Sequence, residues 1–231
     1  MNWKSHTVLP QGGIRRIDDI DQLLVMSTAF SCLLVFIRIL YTGRITFLSL
    51  VWNLFLACVP YLITRKLHAN SFWKKSKLIF VFLFIVWLLF IPNSFYIITD
   101  LFHLIDSVSH PVVPVWFSLL LIFSFAWNGL VMGILSVRQM EKMVGYLIPK
   151  LPEHLFVYPI MCLNAFGVYI GRWLRYNSWD VVANPFQLLG DALDILVHPY
   201  TYRYAWSIIL CFSIFMTLMY LAIKRIAKSF N

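Results

Sequence analysis

The chain has 231 residues, of which 61% are hydrophobic and only 13% charged. Soluble domains carry about 25% charged residues, so composition excludes a water-exposed surface around an ordinary core and makes the membrane the solvent for most of the protein. The formal net charge of +9 does not indicate nucleic acid, because the basic residues are spread over the short connections between apolar runs and form no single face.

The apolar runs predict an all-α bundle of six transmembrane helices in a single multi-pass domain covering residues 1–231. The first run extends from Gln22 to Tyr41. No small-residue cleavage pattern follows it, so it reads as a permanent span and not a signal peptide. The later spans are expected at 45–64, 78–99, 112–136, 155–173 and 204–223. Each suffices to cross roughly 30 Å of hydrocarbon at about 1.5 Å per residue. Cys32, Cys58, Cys162 and Cys211 each fall alone inside an apolar run, which points to packing and not to disulfides. Trp52-Asn53 recurs as Trp127-Asn128, but at a different depth in its span, so the repeat is a coincidence. Asn53 and Asn128 are expected to bridge helices in the core.

Orientation follows from the connections. Lys4, Arg15 and Arg16 precede span one; Arg65, Lys66, Lys74, Lys75 and Lys77 lie between spans two and three; Arg138, Lys142 and Lys150 lie between spans four and five; Lys224, Arg225 and Lys228 follow span six. These fourteen basic residues share one side, against Arg44, Arg172, Arg175 and Arg203 on the other, with Arg38 near it. The positive-inside rule then places both termini in the cytoplasm. The long outer connection, 174–203, contains Asn184-Pro185 as an N-cap and first helical residue. Phe186, Leu189, Leu193 and Leu196 follow at helical spacing. This predicts a short amphipathic helix ending at His198-Pro199, lying either in the outer interface or as a cap over the bundle.

Polar chemistry concentrates at two places on the outer side. In the first, Pro92 should kink or break span three. Asn93, Tyr96, Asp100 and His103 then follow at spacings of three, four and three, which puts them on one helical face. Such a face cannot cheaply meet lipid. In the second, Gly167 and Gly171 form a small-xxx-small pair that lets a neighbouring helix approach. Arg172, Tyr176 and Asp180 fall four apart if that helix continues beyond the membrane. The two segments are expected to converge.

Several stretches in one order carry a family resemblance: Trp52 through Ala57, Pro92-Asn93 through Tyr96, Thr99-Asp100-Leu101-Phe102-His103-Leu104, and Gly171-Arg172 through Asn177-Ser178-Trp179-Asp180. Over roughly residues 45–200 the chain resembles a bacterial membrane family catalogued as domain of unknown function 1361. The resemblance implies a multi-pass bacterial cell-membrane protein and supplies no activity.

The residues themselves suggest candidate roles. Asp100, His103 and Asp180 are the candidate proton-transfer or catalytic groups. Asn93, Tyr96, Arg172, Arg175, Tyr176 and Asn177 are the candidate substrate-binding groups, the arginines suiting a phosphate or carboxylate. The plain alternative is an ion pair between Asp100 and Arg172, with Arg38 a second partner or a snorkelling side chain. Asp100, His103, His110, Asp180 and His198 could supply metal ligands, but no metal motif is present, so no metal is assigned and the cofactor is unknown. Ser178 is the one well-placed hydroxyl, without a nucleophile turn. Trp173, Tyr176 and Trp179 suit an interface belt. The leading reading is a membrane enzyme acting at the outer leaflet on a lipid or lipid-linked anionic substrate, with membrane lipids as partners. The alternatives are a transporter or export factor using a helix broken at Pro92-Asn93, and a non-catalytic scaffold.

The topology is testable in intact cells. A single cysteine introduced at position 70 should resist an impermeant thiol reagent added from outside, while one in 174–203 should react. Selective outside labelling at position 70 overturns the orientation.

Overall fold

The computed structural model describes residues 11–69, 76–109, 112–177 and 179–229. Of the residues singled out by sequence, Lys4, Lys74, Lys75, His110 and Ser178, and the side chains of Arg15 and Arg16, lie outside the described part. Every regular element among the described residues is helical. The elements are α1 (Gln11–Thr42), α2 (Leu48–Ala69), α3 (Lys77–Tyr96), a 3₁₀ turn (Ile97–Phe102), α4 (His103–Ser109), α5 (Val115–Leu147), α6 (Glu153–Arg172), α7 (Asp180–Ala183), α8 (Pro185–Val197) and α9 (Arg203–Ser229). Helices α1, α2, α5, α6 and α9, and α3 with its continuation, are the six long and apolar enough to cross a membrane. The described residues of the connections 43–47, 97–114 and 173–202 gather at one end of the bundle, the polar end. The opposite end carries Arg65, Lys66, Arg138, Lys142, Lys150, Lys224, Arg225 and Lys228, and is the basic end.

Helix α5 is central. Two thirds (67%) of its most apolar stretch is buried, against 17% for α9, which keeps one broad face toward lipid. Helix α2 packs on α5 and α3, and α6 on α9 and α3. Buried hydroxyls tie the centre together. The indole of Trp87 donates to Ser136 Oγ at 2.8 Å, and Ser136 Oγ donates to the Pro60 carbonyl at 3.0 Å, with Thr64 Oγ1 3.2 Å away. Ser94 Oγ donates to the Ala57 carbonyl at 2.8 Å. In lipid, such interhelical bonds contribute about 0.6 kcal/mol each. Asn128 bridges α5 to α1 through Ser31 Oγ at 3.0 Å. The four cysteines are free thiols.

The closest packing is around the last turn of α3. A methyl group at Gly129 would overlap Ile97 Cγ2 and stand 2.9 Å from the Ser94 carbonyl oxygen; one at Gly133 would stand 2.9 Å from Ser94 Cβ. From the other side, one at Gly167 would be 2.7 Å from Pro92 Cβ and Cγ, and one at Gly171 3.3 Å from the Tyr96 ring. Two glycine pairs, on α5 and α6, thus enclose residues 92–97. Where helices lack a hydrophobic drive to associate, such close approach supplies the packing energy.

The structure departs from expectation in four places. Helix α3 is not broken at Pro92-Asn93: it continues to Tyr96 and changes winding only at Ile97. The packing of Pro92 against Gly167 supports the turn where a backbone donor is missing, as neighbouring helices do in membranes. Thr99 Oγ1 donates to the Tyr96 carbonyl at 2.7 Å, which favours a tightened last turn over α-helix. Helix α6 stops at Arg172, so Arg172, Tyr176 and Asp180 do not share a continuous helical face. Arg38 does not pair with Asp100. It donates to Ser118 Oγ at 2.9 Å and lies 4.1 Å from the centre of the Phe47 ring. Asn184 does occupy the N-cap of α8 with Pro185 next, but its side chain makes no capping bond.

Gly129→Ala should lower stability by about 1–3 kcal/mol through overpacking. Gly145→Ala and Gly190→Ala, at helical positions with open space around them, should be neutral or stabilising by up to about 1 kcal/mol. Melting temperatures in detergent compare the three; equal effects at positions 129 and 145 would remove the glycine clamp as an explanation.

Candidate functional site

The 3₁₀ turn delivers Asp100 into the interior of the polar end, where it is 2% exposed. A carboxylate there needs partners, because burying an unpaired charge costs several kcal/mol. They come from three directions. Asn53 Nδ2, from α2, donates to Oδ2 at 2.9 Å. Arg172 Nη1, from the last turn of α6, lies 3.5 Å from Oδ1. His103 Nε2, at the start of α4, lies 3.9 Å from the same oxygen. The i,i+3 spacing of Asp100 and His103 survives because a 3₁₀ turn stacks residues three apart. Asp100 is thus shielded while His103 is 45% exposed. The Arg172 guanidinium also lies 5.4 Å from the centre of the Phe102 ring, and Phe102 meets Trp173 edge to face at 6.5 Å. Trp173 stacks on Tyr169 at 5.6 Å. These rings hold the guanidinium plane beside the carboxylate.

Next to this cluster is a groove of about 290 Å³ between α2, α3, α6 and the segment leading to α8. Toward the middle of the bundle it is lined by the apolar Leu88, Leu89 and Leu163; toward the polar end it carries Asn53, Asn93, Tyr96, Tyr176 and Asn177. Asn53 belongs to both groove and carboxylate cluster. Trp52, Leu89 and Leu163 are about half exposed, at 50%, 51% and 48%, so the groove opens sideways on the membrane-facing surface.

The candidate residues therefore divide. Asp100, His103 and Arg172 come together, and Asn93, Tyr96, Tyr176 and Asn177 line the adjoining groove. Asp180 is engaged elsewhere: its Oδ2 accepts the Asn177 backbone N–H at 2.6 Å and closes the loop after α6. Arg175 is exposed and adopts a left-handed backbone, φ 61°, which folds the chain back so that the Tyr176 N–H reaches the Ile170 carbonyl at 3.3 Å. The Tyr176 hydroxyl donates to Asp191 Oδ2 at 2.7 Å. That bond, with the nearby carboxylate charge, pushes the phenol up to about 12, so Tyr176 remains a protonated donor at neutral pH. At the other end of α8, the Tyr202 hydroxyl and then His198 hold Asp194 below the usual carboxylate range. A lowered folded-state value means this tie is intact above that range and is lost only as acid protonates Asp194.

Asn53 is the member of the cluster that sequence reasoning placed only as an interhelical bridge. The rule that drew attention to Asn93, a polar side chain within a span needing an interior partner, applies equally to it. Among the described residues no three His, Cys, Asp or Glu side chains gather to hold a metal ion; His198 instead pairs with Asp194 at 2.8 Å.

A family model described as Protein of unknown function (DUF1361) matches residues 52–220. No curated protein and no solved structure matches the chain.

Asp100→Ala should destabilise the protein by about 3–5 kcal/mol, the cost of removing one partner of a buried pair. His103→Ala should shift stability by less than about 1 kcal/mol. A double-mutant cycle of Asp100→Asn with Arg172→Gln, read by melting in detergent, should show coupling of at least about 0.5 kcal/mol. Strict additivity would mean the 3.5 Å pair contributes nothing to stability.

Proposed function

The chain belongs to this family of unknown function, DUF1361, and from the geometry of its polar end we propose that it acts on a lipid-linked, anionic substrate at the extracytoplasmic face of a bacterial cell membrane. The observation that carries the reading is the groove. It is apolar toward the middle of the bundle, polar toward the polar end, open to the side and joined through Asn53 to Asp100. An amphiphile has the matching profile. From Leu89 to Tyr96 the groove wall follows α3 for about 10 Å, a depth suited to the start of an acyl or prenyl chain.

The chemistry assigned to each group follows from its surroundings. His103 is exposed enough to meet a substrate, and the buried Asp100 carboxylate stabilises its imidazolium form when it takes a proton. Arg172 orients Asp100 and, with the exposed Arg175, offers guanidinium donors to a phosphate or carboxylate. Asn93, Tyr96, Tyr176 and Asn177 orient the polar part of the substrate. Helix α8 leaves Phe186, Leu189, Leu193 and Leu196 exposed, at 89%, 57%, 49% and 48%. An apolar stripe of this kind suits a helix lying in the membrane interface beside the groove mouth. The basic end lies in the cytoplasm, with both termini, by the positive-inside rule.

The test combines a blocking variant with a chemical one. Leu163→Trp fills the groove from a lipid-facing position. It should leave the melting temperature unchanged but remove any amphiphile that co-purifies and abolish the cellular function, scored by complementation of a deletion strain. His103→Ala should keep both the fold and the bound amphiphile while losing complementation. Full complementation by both variants would exclude the groove and the histidine from function. Loss of stability in step with loss of complementation would point to a structural role.

A further inference from the structure

A second cleft that is apolar at one end and charged at the other lies at the basic end, between α5 and α9, with a volume of about 280 Å³. Helix α9 packs chiefly on α6, so the seam with α5 stays open to lipid. Toward the membrane interior the cleft is lined by Ile134, Leu135 and Ile223; at its mouth stand Arg138, Lys142, Lys224 and Lys228. The charges are arranged against themselves. Lys142 follows Arg138 by four residues on α5, and Lys228 follows Lys224 by four on α9, so each helix stacks two like charges that repel.

The carboxylates nearby are already committed. Glu141, 6% exposed, accepts from Arg138 at 2.9 Å, from Lys224 at 2.6 Å and from the Tyr220 hydroxyl. Glu153 accepts from Lys224 at 2.5 Å. Neither Lys142 nor Lys228 hydrogen-bonds a carboxylate among the described residues. Four cations against two carboxylates leave an excess of two positive charges at the mouth of an apolar slot. Stacked like charges are relieved by a bound anion, and an anion attached to a hydrocarbon chain also fills the slot.

We propose that the α5–α9 cleft binds an anionic phospholipid, its headgroup phosphate held by Lys142 and Lys228 and an acyl chain lying along Ile134, Leu135 and Ile223. The Glu141 network ties the two helices together, and both lysines line the cleft between them. This site is independent of the polar-end groove and of its substrate.

The full chain in phosphatidylcholine-containing micelles is titrated with phosphatidylglycerol, with retained lipid read by native mass spectrometry and the melting temperature read in parallel. Phosphatidylglycerol should be retained in preference to phosphatidylcholine and should raise the melting temperature. The Lys142→Gln/Lys228→Gln variant should bind it about tenfold or more weakly, at about 1 kcal/mol per lysine, and melt as the wild type does without added lipid. Lys142→Arg/Lys228→Arg should retain binding. Leu135→Trp, which blocks the apolar half and leaves all charges, should also lose it, and supplies the test if the glutamine variant does not fold. Equal retention of the two lipids, or undiminished binding by the glutamine variant or by Leu135→Trp, overturns the proposal. A melting shift reproduced by glycerol phosphate alone overturns it as well, leaving a site for soluble phosphate.

Discussion

The last turn of α3 has almost no freedom, and the polar end is built on that constraint. Gly129 and Gly133 press on Ser94 and Ile97 from α5, while Gly167 and Gly171 press on Pro92 and Tyr96 from α6. Lipid gives apolar side chains no reason to leave it for one another, so helices in a membrane associate through close packing and interhelical hydrogen bonds. Four glycines concentrate that packing on one short segment. The 3₁₀ turn begins where the clamp ends, so the direction in which Asp100 enters the bundle is set by backbone contacts several residues earlier.

Asp100 in turn joins elements that the glycine contacts alone do not connect. It takes a hydrogen bond from α2 and a guanidinium from α6, and it keeps His103 close while leaving it accessible. The basic end uses the same device. Glu141 on α5 is buried and gathers Arg138 from its own helix with Tyr220 and Lys224 from α9. A buried carboxylate with partners from several helices is a costly feature that fixes one arrangement, since any other leaves the charge unpaired. Among the described residues, one such buried carboxylate node therefore stands near each end of the bundle. The polar node sits beside a groove open to the membrane, and the basic node backs a cleft with surplus cations.

Helix α8 shows how a connector can take part in a site without entering the core. Only Ile195 among its residues is buried. It is held instead at its edges, by Tyr176 on Asp191, Tyr202 on Asp194 and the Trp206 indole on the Ile195 carbonyl. Its apolar stripe remains outward, while Leu188 reaches the groove.

The six spans, the amphipathic helix after Asn184 and the gathering of polar residues at one end were legible in the sequence, because each rests on a local rule: hydropathy over a bilayer's thickness, a 3.6-residue period, and the cost of a polar group in lipid. Hydropathy located the membrane but not the helix ends; α5 runs to Leu147, well past the apolar run that stops near Ser136, since Arg138 through Lys142 suit a helix as well as they suit water. Which polar residues meet was legible only in part: the Asp100–Arg172 pair and the Asp100–His103 spacing hold, whereas Asp180 and Arg38 find other partners. Spacing alone put Asn93, Tyr96, Asp100 and His103 on one face and aligned Arg172 with Asp180. A change of winding at Ile97, the stop of α6 at Arg172 and the left-handed Arg175 divide them instead between a groove, a carboxylate cluster and a loop cap. Those outcomes depend on how close one helix comes to another, and Gly129, Gly133, Gly167 and Gly171 decide that through contacts between segments far apart in the chain. Sequence therefore determined which groups could not face lipid, and the tertiary packing decided which partners they found.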